Sequence, residues 1–269
     1  MKGDFMTQIM TYTHTYFLTA GESDAEGRMP LTLLTERLIE VATEHANELG
    51  IGYDDLLKLG IGWVLSRLSI SMKEYPTINS TYSITTWIEN INRHFSDRCF
   101  EICDGTGKVL GYARTLWAAI DFNTRRSADL SSITTDAYPI ASRECPVPRQ
   151  SKIPALPDGC PESEYTFKYC DIDFNRHVNT VRYIELLLNQ WSMEWHDRHV
   201  ASTFEIAFNS ECYFGETVRL RMDGSVENVV TELCHNNGVR AVGARFVWTE
   251  APVANAGVIE AGESGAEED

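Results

Sequence analysis

Ala113-Arg114-Thr115-Leu116-Trp117 and Ala244-Arg245-Phe246-Val247-Trp248 agree at three of five positions. They stand late in two halves of a 269-residue chain, and the elements around them recur in one order, the mark of an internal duplication. Each half opens on an alternating strand, Tyr12, His14 and Tyr16 in the first and Tyr165, Phe167 and Tyr169 in the second. Each then carries one amphipathic helix. Leu31, Leu34, Leu38, Val41, Ala42, Ala46 and Leu49 recur at helical spacing, with Pro30 near the start and Gly50 just past the end. Val181, Ile184, Leu187, Leu188 and Trp191 repeat the pattern, with Asn179 as N-cap. Strands follow both helices: Leu68, Ile70 and Met72 alternate with polar residues, as do Phe204, Ile206 and Phe208, and later Val218, Leu220 and Met222. Asp104-Gly105 and Asn237-Gly238 are hairpin signals leading into the closing strands. Glu74 and Glu211 each head a hairpin.

One helix followed by an antiparallel sheet, twice over, is an α+β architecture. A single helix wrapped by a curved antiparallel sheet is the hotdog arrangement, so a tandem (double) hotdog fold is expected. The two sheets would join edge to edge, hiding edges that otherwise invite aggregation. Six of the nine prolines crowd between the halves (Pro139, Pro146, Pro148, Pro154, Pro157, Pro161). That composition favours an extended connector. The expected organisation is an N-terminal hotdog domain over 1–133, a surface linker over 134–162, a C-terminal hotdog domain over 163–250, and an acidic tail over 251–269. The tail holds Glu260, Glu263, Glu267, Glu268 and Asp269 and no base, and reads as disordered.

A net charge of −16 disfavours nucleic acid and anionic membranes as partners. No run approaches the length of a membrane span, and Met1 to Met10 shows no signal or transit pattern. Seven scattered cysteines without a C-x-x-C pair argue against a disulfide framework and fit a reducing compartment, the cytoplasm. No cofactor and no metal are expected, since there is no glycine-rich phosphate loop and no ligand-spaced cluster. His196 and His199 read as surface residues.

Asp171, Asp173, Asn175, His177 and Asn179 recur at every second position just before the second helix. In extended backbone their side chains would project to one side, a row of carboxylate, amide and imidazole beside a helix N-terminus. That end offers unpaired N–H groups to a developing oxyanion. Asp171 and Asn179 serve equally well as loop and cap residues, whereas Asp173, Asn175 and His177 together point to chemistry. Glu211-Cys212, after the Phe204 strand, is a second candidate element, although a cysteine near a strand end is commonly just buried. The first half has no Asp-x-Asn-x-His counterpart before its helix, where Met29-Pro30 stands.

Asp173-Phe174-Asn175-Arg176-His177-Val178-Asn179, followed by Tyr183, resembles the D-x-N-x-H-V-N…Y signature of acyl-acyl-carrier-protein thioesterases, and Glu211-Cys212 sits where that family carries its second active-site element. Trp63-Val64-Leu65-Ser66-Arg67, Tyr75-Pro76-Thr77, Thr86-Trp87 and Asn123-Thr124-Arg125-Arg126 extend the resemblance through the first half. The plant members begin with a transit segment that is absent here, so the chain looks like a bacterial relative. The resemblance implies hydrolysis of fatty acyl-acyl carrier protein, with Asp173, Asn175, His177, Glu211 and Cys212 as catalytic residues.

Two mechanisms stay open at this stage. In one, His177 takes the thiol proton of Cys212, Asn175 orients the imidazole and an acyl-cysteine forms. In the other, Asp173 or Glu211 attacks or activates water while His177 and Asn175 hold the substrate; hotdog hydrolases generally use carboxylates, which favours this version. Asn179, Trp87, Phe95, Arg176 and Arg182 are candidate substrate-binding residues, Trp87 and Phe95 by bulk. The partner implied is acyl carrier protein, which is acidic; Arg93, Arg98, Arg125, Arg126, Lys168, Arg176 and Arg182 could form a docking patch. A homodimer is possible. An acyl-CoA thioesterase and a noncatalytic lipid-binding hotdog protein are the competing functions.

Overall fold

The computed structural model describes residues 10–131 and 140–251. The acidic tail from residue 252 and the start of the linker lie outside the described residues. The first half runs β1 (Thr11–Phe17), α1 (Leu31–Glu48), α2 (Tyr53–Leu57), β2 (Ile61–Met72), β3 (Thr81–Ile91), β4 (Phe95–Asp104), β5 (Val109–Asp121) and a short β6 (Arg126–Ser127). The second runs β7 (Glu162–Thr166), α3 (Thr180–Leu188), α4 (Met193–Arg198), β8 (His199–Phe208), β9 (Thr217–Ser225), β10 (Asn228–His235) and β11 (Arg240–Glu250).

All strands join one antiparallel sheet in the order β1-β3-β4-β5-β2-β8-β11-β10-β9-β7, with β6 paired to β5. The order reads the same from either end: helix-flanked units meet where β2 pairs β8, from Arg67↔Ala207 to Ser71↔Thr203. The double hotdog is therefore a continuous sheet. Alternation along the strands sends Leu68, Ile70, Phe100, Ala113, Phe204, Ile206 and Phe246 into one core with Leu34 and Leu38 of α1 and Ile184 and Leu187 of α3, so both halves share it. The matched pentapeptides end on matched bulges. Trp117 pairs Leu65 while Leu116 pairs Arg67, leaving Ser66 out; Trp248 pairs Ala201 while Val247 pairs Thr203, leaving Ser202 out. The repeated sequence thus encodes a repeated bend.

The second half is more compact than its periodicity suggests. β7 stops at Thr166, and Tyr169 lies in a 3-10 turn, 82% exposed. α3 stops at Leu188, and Trp191 packs beyond it against Phe246 and Trp248. Asn179 caps the helix as its position suggests, its Oδ1 accepting from the Val181 amide at 3.0 Å.

Residues 140–158 run across the sheet without regular structure, on the face opposite the helices. Arginines from four strands, taken in order across the sheet, donate to their carbonyls: Arg114 of β5 to Val147, Arg67 of β2 to Gln150, Arg240 of β11 to Ile153 and Pro154, and Arg221 of β9 to Pro157. Ala141, Val147 and Ile153 are buried beneath them.

Candidate active site

Residues 173–177 fold back on themselves, so the expected extended row does not form. Asp173 is the cause: its Oδ1 accepts from the amides of Asn175 at 2.8 Å and His177 at 3.2 Å, while its own amide donates to the His177 carbonyl. This is the local turn that an aspartate favours. Arg176 takes φ +69°, the left-handed position the reversal requires. Asn175 is left exposed at the tip and His177 half-buried. The first amides of α3, those of Val181 and Arg182, are occupied by the Asn179 side chain and carbonyl, so they are not offered to a substrate oxyanion.

The loop after β8 brings the second element. The Val178 amide donates to the Cys212 carbonyl at 2.9 Å, tying this loop to the turn. Neighbouring side chains on an extended stretch point to opposite sides, and Glu211 and Cys212 do so. Glu211 Oε1 lies 3.3 Å from His177 Nδ1. Its Oε2 accepts from Arg125 at 2.6 Å and from the Tyr213 hydroxyl at 3.0 Å. The Tyr213 ring stands edge-on to the imidazole, 5.2 Å between centres. Burial, then the hydrogen bond to Glu211, raise the Tyr213 phenol above its ordinary range, so it stays a donor. His177 Nε2 has no hydrogen-bond partner among the described residues.

Asn175, His177, Glu211 and Arg125 stand together on a cavity of about 440 Å³. Its walls come from the first half: Ile39, Ala42 and Ala46 of α1, Trp63 of β2 and Trp117 of β5. Phe174 meets Tyr53 edge-on across it at 5.9 Å. Cys212 is not among its lining residues. That side chain is fully buried in the core, and burial pushes its thiol up to about 11.

The sequence compares with known families at both halves. Residues 10–138 match the acyl-ACP thioesterase N-terminal domain and residues 157–250 the C-terminal domain. The chain belongs to the acyl-ACP thioesterase family. A crystal structure of an acyl-ACP thioesterase from Bacteroides thetaiotaomicron is 33% identical with a TM-score of 0.84, covering 89% of this chain and 98% of that one. The chloroplastic oleoyl-acyl carrier protein thioesterase 2 of Arabidopsis thaliana is 27% identical over 256 residues, 88% of this chain and 69% of its own length. The 12:0-ACP thioesterase of Umbellularia californica shares the fold at 20% identity, TM-score 0.81, over 90% of this chain and 98% of that one. The protein is thus a thioester hydrolase acting on fatty acyl-acyl carrier protein.

Other residues singled out in the thioesterase sequence lie elsewhere. Trp87 is fully buried on the linker face, its Nε1 donating to the Arg143 carbonyl and its ring beneath the Arg143 guanidinium; it does not line the cavity. Phe95 sits at the β3–β4 turn, 38% exposed and outside the lining. Arg182 makes both its short contacts with Glu185. Arg98 is buried in the cavity wall, bonded to His45 and Thr86, which removes it from any surface patch. Arg126 and Arg176 are exposed and make no ion pair among the described residues.

The thioesterase also carries its turn twice: the first half lacks the Asp-x-Asn-x-His residues, but Asp24-Ala25-Glu26-Gly27-Arg28 gives the same backbone before α1. Asp24 Oδ1 accepts from the amides of Glu26 and Arg28, and the Asp24 amide donates to the Arg28 carbonyl. Gly27 takes φ +73°. Arg28 bridges to Thr77 as His177 bridges to Tyr213, and the Met29 amide donates to the Pro76 carbonyl as Val178 does to Cys212. By this register Glu26 replaces Asn175, Arg28 replaces His177, and Tyr75, not Glu74, stands opposite Glu211. The twin turn borders a cavity of about 220 Å³ with Leu188, His196, His199, Val200 and Trp248. His196 and His199 are half-buried there, bonded to the Leu188 and Trp195 carbonyls, so they are not free surface residues.

Proposed function

We propose that His177, held by Glu211, is the proton carrier for hydrolysis of the acyl-carrier thioester. The observation that carries this reading is the 3.3 Å approach of Glu211 Oε1 to Nδ1 at the mouth of the cavity. Glu211 has both oxygens engaged, by Arg125 and Tyr213 on one side and His177 on the other, the place of an orienting carboxylate rather than of a nucleophile. Nε2 accepts a proton from water as the water oxygen attacks the carbonyl carbon. As the C–S bond breaks, the imidazolium returns that proton to the departing sulfur, and Glu211 offsets the transient positive charge. The Asn175 carboxamide donates to the carbonyl oxygen as it gains charge. Asp173 shapes the turn and takes no part in the proton transfer. Asn179 acts as a helix cap.

The first half would hold the acyl chain and the second would supply the chemistry, with residues 134–162 as their linker. Acyl carrier protein would dock at the rim, where exposed Arg126 and Arg176 follow the lining residues Arg125 and Asn175 in the chain and Phe122 and Phe174 are exposed; such binding weakens with salt. A cytoplasmic setting is supported by seven free cysteines. Among the described residues no helix is long and apolar enough to cross a membrane.

Thiol release from acyl-carrier and acyl-CoA thioesters of graded chain length tests the reading. Cys212→Ala is expected to keep turnover within about tenfold, roughly 1.4 kcal/mol of barrier. A larger loss in a folded variant would restore the acyl-cysteine route. Equal, salt-insensitive turnover of both thioesters would count against docking of the carrier.

A further inference from the structure

Behind Glu211, on the side of the loop away from the cavity, three donors of different kinds converge. Cys212 and Glu216 flank Tyr213 on the β8–β9 loop, and His235 ends β10. One donor atom from each lies within 4.8 Å of the others. Sequence spacing hides this cluster, because the histidine arrives from a separate strand.

We propose that Cys212, Glu216 and His235 form a binding site for a zinc-class divalent cation. A thiolate, a carboxylate and an imidazole are the donor set that favours zinc over magnesium or calcium. Metal bonds of about 2.0–2.3 Å place tetrahedral ligands roughly 3.3–3.8 Å apart, so His235 Nδ1 and Glu216, now hydrogen-bonded to each other, must open by about an ångström to admit the ion, while no donor atom starts more than 4.8 Å from the others. Each is already held from behind, as metal ligands usually are. His235 Nε2 pairs with the Ser210 hydroxyl at 2.7 Å, which aims Nδ1 at Glu216. Glu216 Oε2 accepts from the Tyr213 amide at 3.1 Å. The Cys212 amide donates to the Tyr183 hydroxyl at 3.1 Å, which fixes the backbone that carries the thiol. On binding, the Cys212 S–H bond breaks and its proton leaves to solvent, the proton between His235 Nδ1 and Glu216 moves to Nε2, which then donates to the Ser210 oxygen, and sulfur–metal, nitrogen–metal and oxygen–metal bonds form. Thiolate and carboxylate then neutralise the dication, which suits a site whose cysteine is fully buried. The site owes nothing to the assignment of His177 and Glu211.

Cobalt(II) titrated into the full chain under anaerobic conditions is the direct probe. The expected result is a sulfur-to-cobalt charge-transfer band with tetrahedral visible bands, saturating at one equivalent. Cys212→Ala should abolish the charge-transfer band, and Ser210→Ala should weaken binding about tenfold. No band in excess cobalt, or a full band in Cys212→Ala, overturns the site. Because Cys212→Ala changes a core residue, thermal unfolding gives an independent reading. Zinc should raise the midpoint of the wild type but not of Glu216→Gln, and a wild-type midpoint that zinc leaves unmoved also overturns the proposal.

Discussion

The turns before α1 and α3 share a backbone and differ in the side chains to which the proposed chemistry is assigned. Asp24 and Asp173 make the same pair of amide contacts, and Gly27 and Arg176 take the same left-handed position. Where one presents Asn175, His177 and Glu211, the other presents Glu26, Arg28 and Tyr75. Arg28 is turned inward onto Glu26, Asp24 and the His196 carbonyl, and Tyr75 donates to the Ala201 carbonyl. The aspartate dictates the shape, and on the proposed mechanism three side chains hung on that shape decide whether it does chemistry.

The sharpest way to break this comparison is to move a side chain across it. His177→Arg should fold, because the twin turn accommodates arginine, yet lose about a thousandfold in turnover; circular dichroism beside a thiol-release assay separates the two. Retained activity would remove His177 from the chemistry. Glu211→Gln keeps shape and removes charge, and a loss on the order of a hundredfold in kcat is expected with little change in KM. Asp173→Ala and Asp24→Ala should each cost about 1–3 kcal/mol in denaturant unfolding, since each strands two amides. Only the first should also slow turnover, as only it carries His177. Smallest is Asp24→Asn, which keeps the acceptor and removes the charge. Burial raises the Asp24 carboxyl above its ordinary range, so the folded chain binds its proton more readily than the unfolded one. Ionised Asp24 therefore costs stability at neutral pH, and the cost fades as pH falls through the raised value. Thermal unfolding should show Asp24→Asn gaining on the wild type by less than about 1 kcal/mol at pH 7, and by less again near pH 4.

Much of the architecture was legible in residue periodicity. The α1 and α3 stripes, the N-cap at Asn179 and the hairpins at Asp104-Gly105 and Asn237-Gly238 each rest on local rules, and local rules survive folding. Strand alternation read at one position at a time was less informative. Bulk brought Trp87 to notice but not the face it occupies, and the thiol beside Glu211 turns away because neighbours on a strand must. The alternating polar row misled for a related reason: Asp173 uses its carboxylate to fold the chain back, which spacing alone does not reveal. Arg125 was visible only as part of a family-like motif. Its role depends on meeting Glu211 across 86 positions of sequence, a contact no local pattern reports. The twin turn stayed hidden because only its aspartate is common to both copies.

The arginine-to-carbonyl straps over residues 140–158 bear on more than the integrity of the sheet. The proposed centre, drawing Arg125 from one side of the β2–β8 seam and His177 from the other, would, in separate subunits, come apart on dilution. Here both contributors travel on one polypeptide, pinned across the seam by their own connector, so their effective concentration is fixed however scarce the molecule becomes. Activity per molecule should hold constant down to trace amounts, and each copy was freed to specialise without having to match a partner.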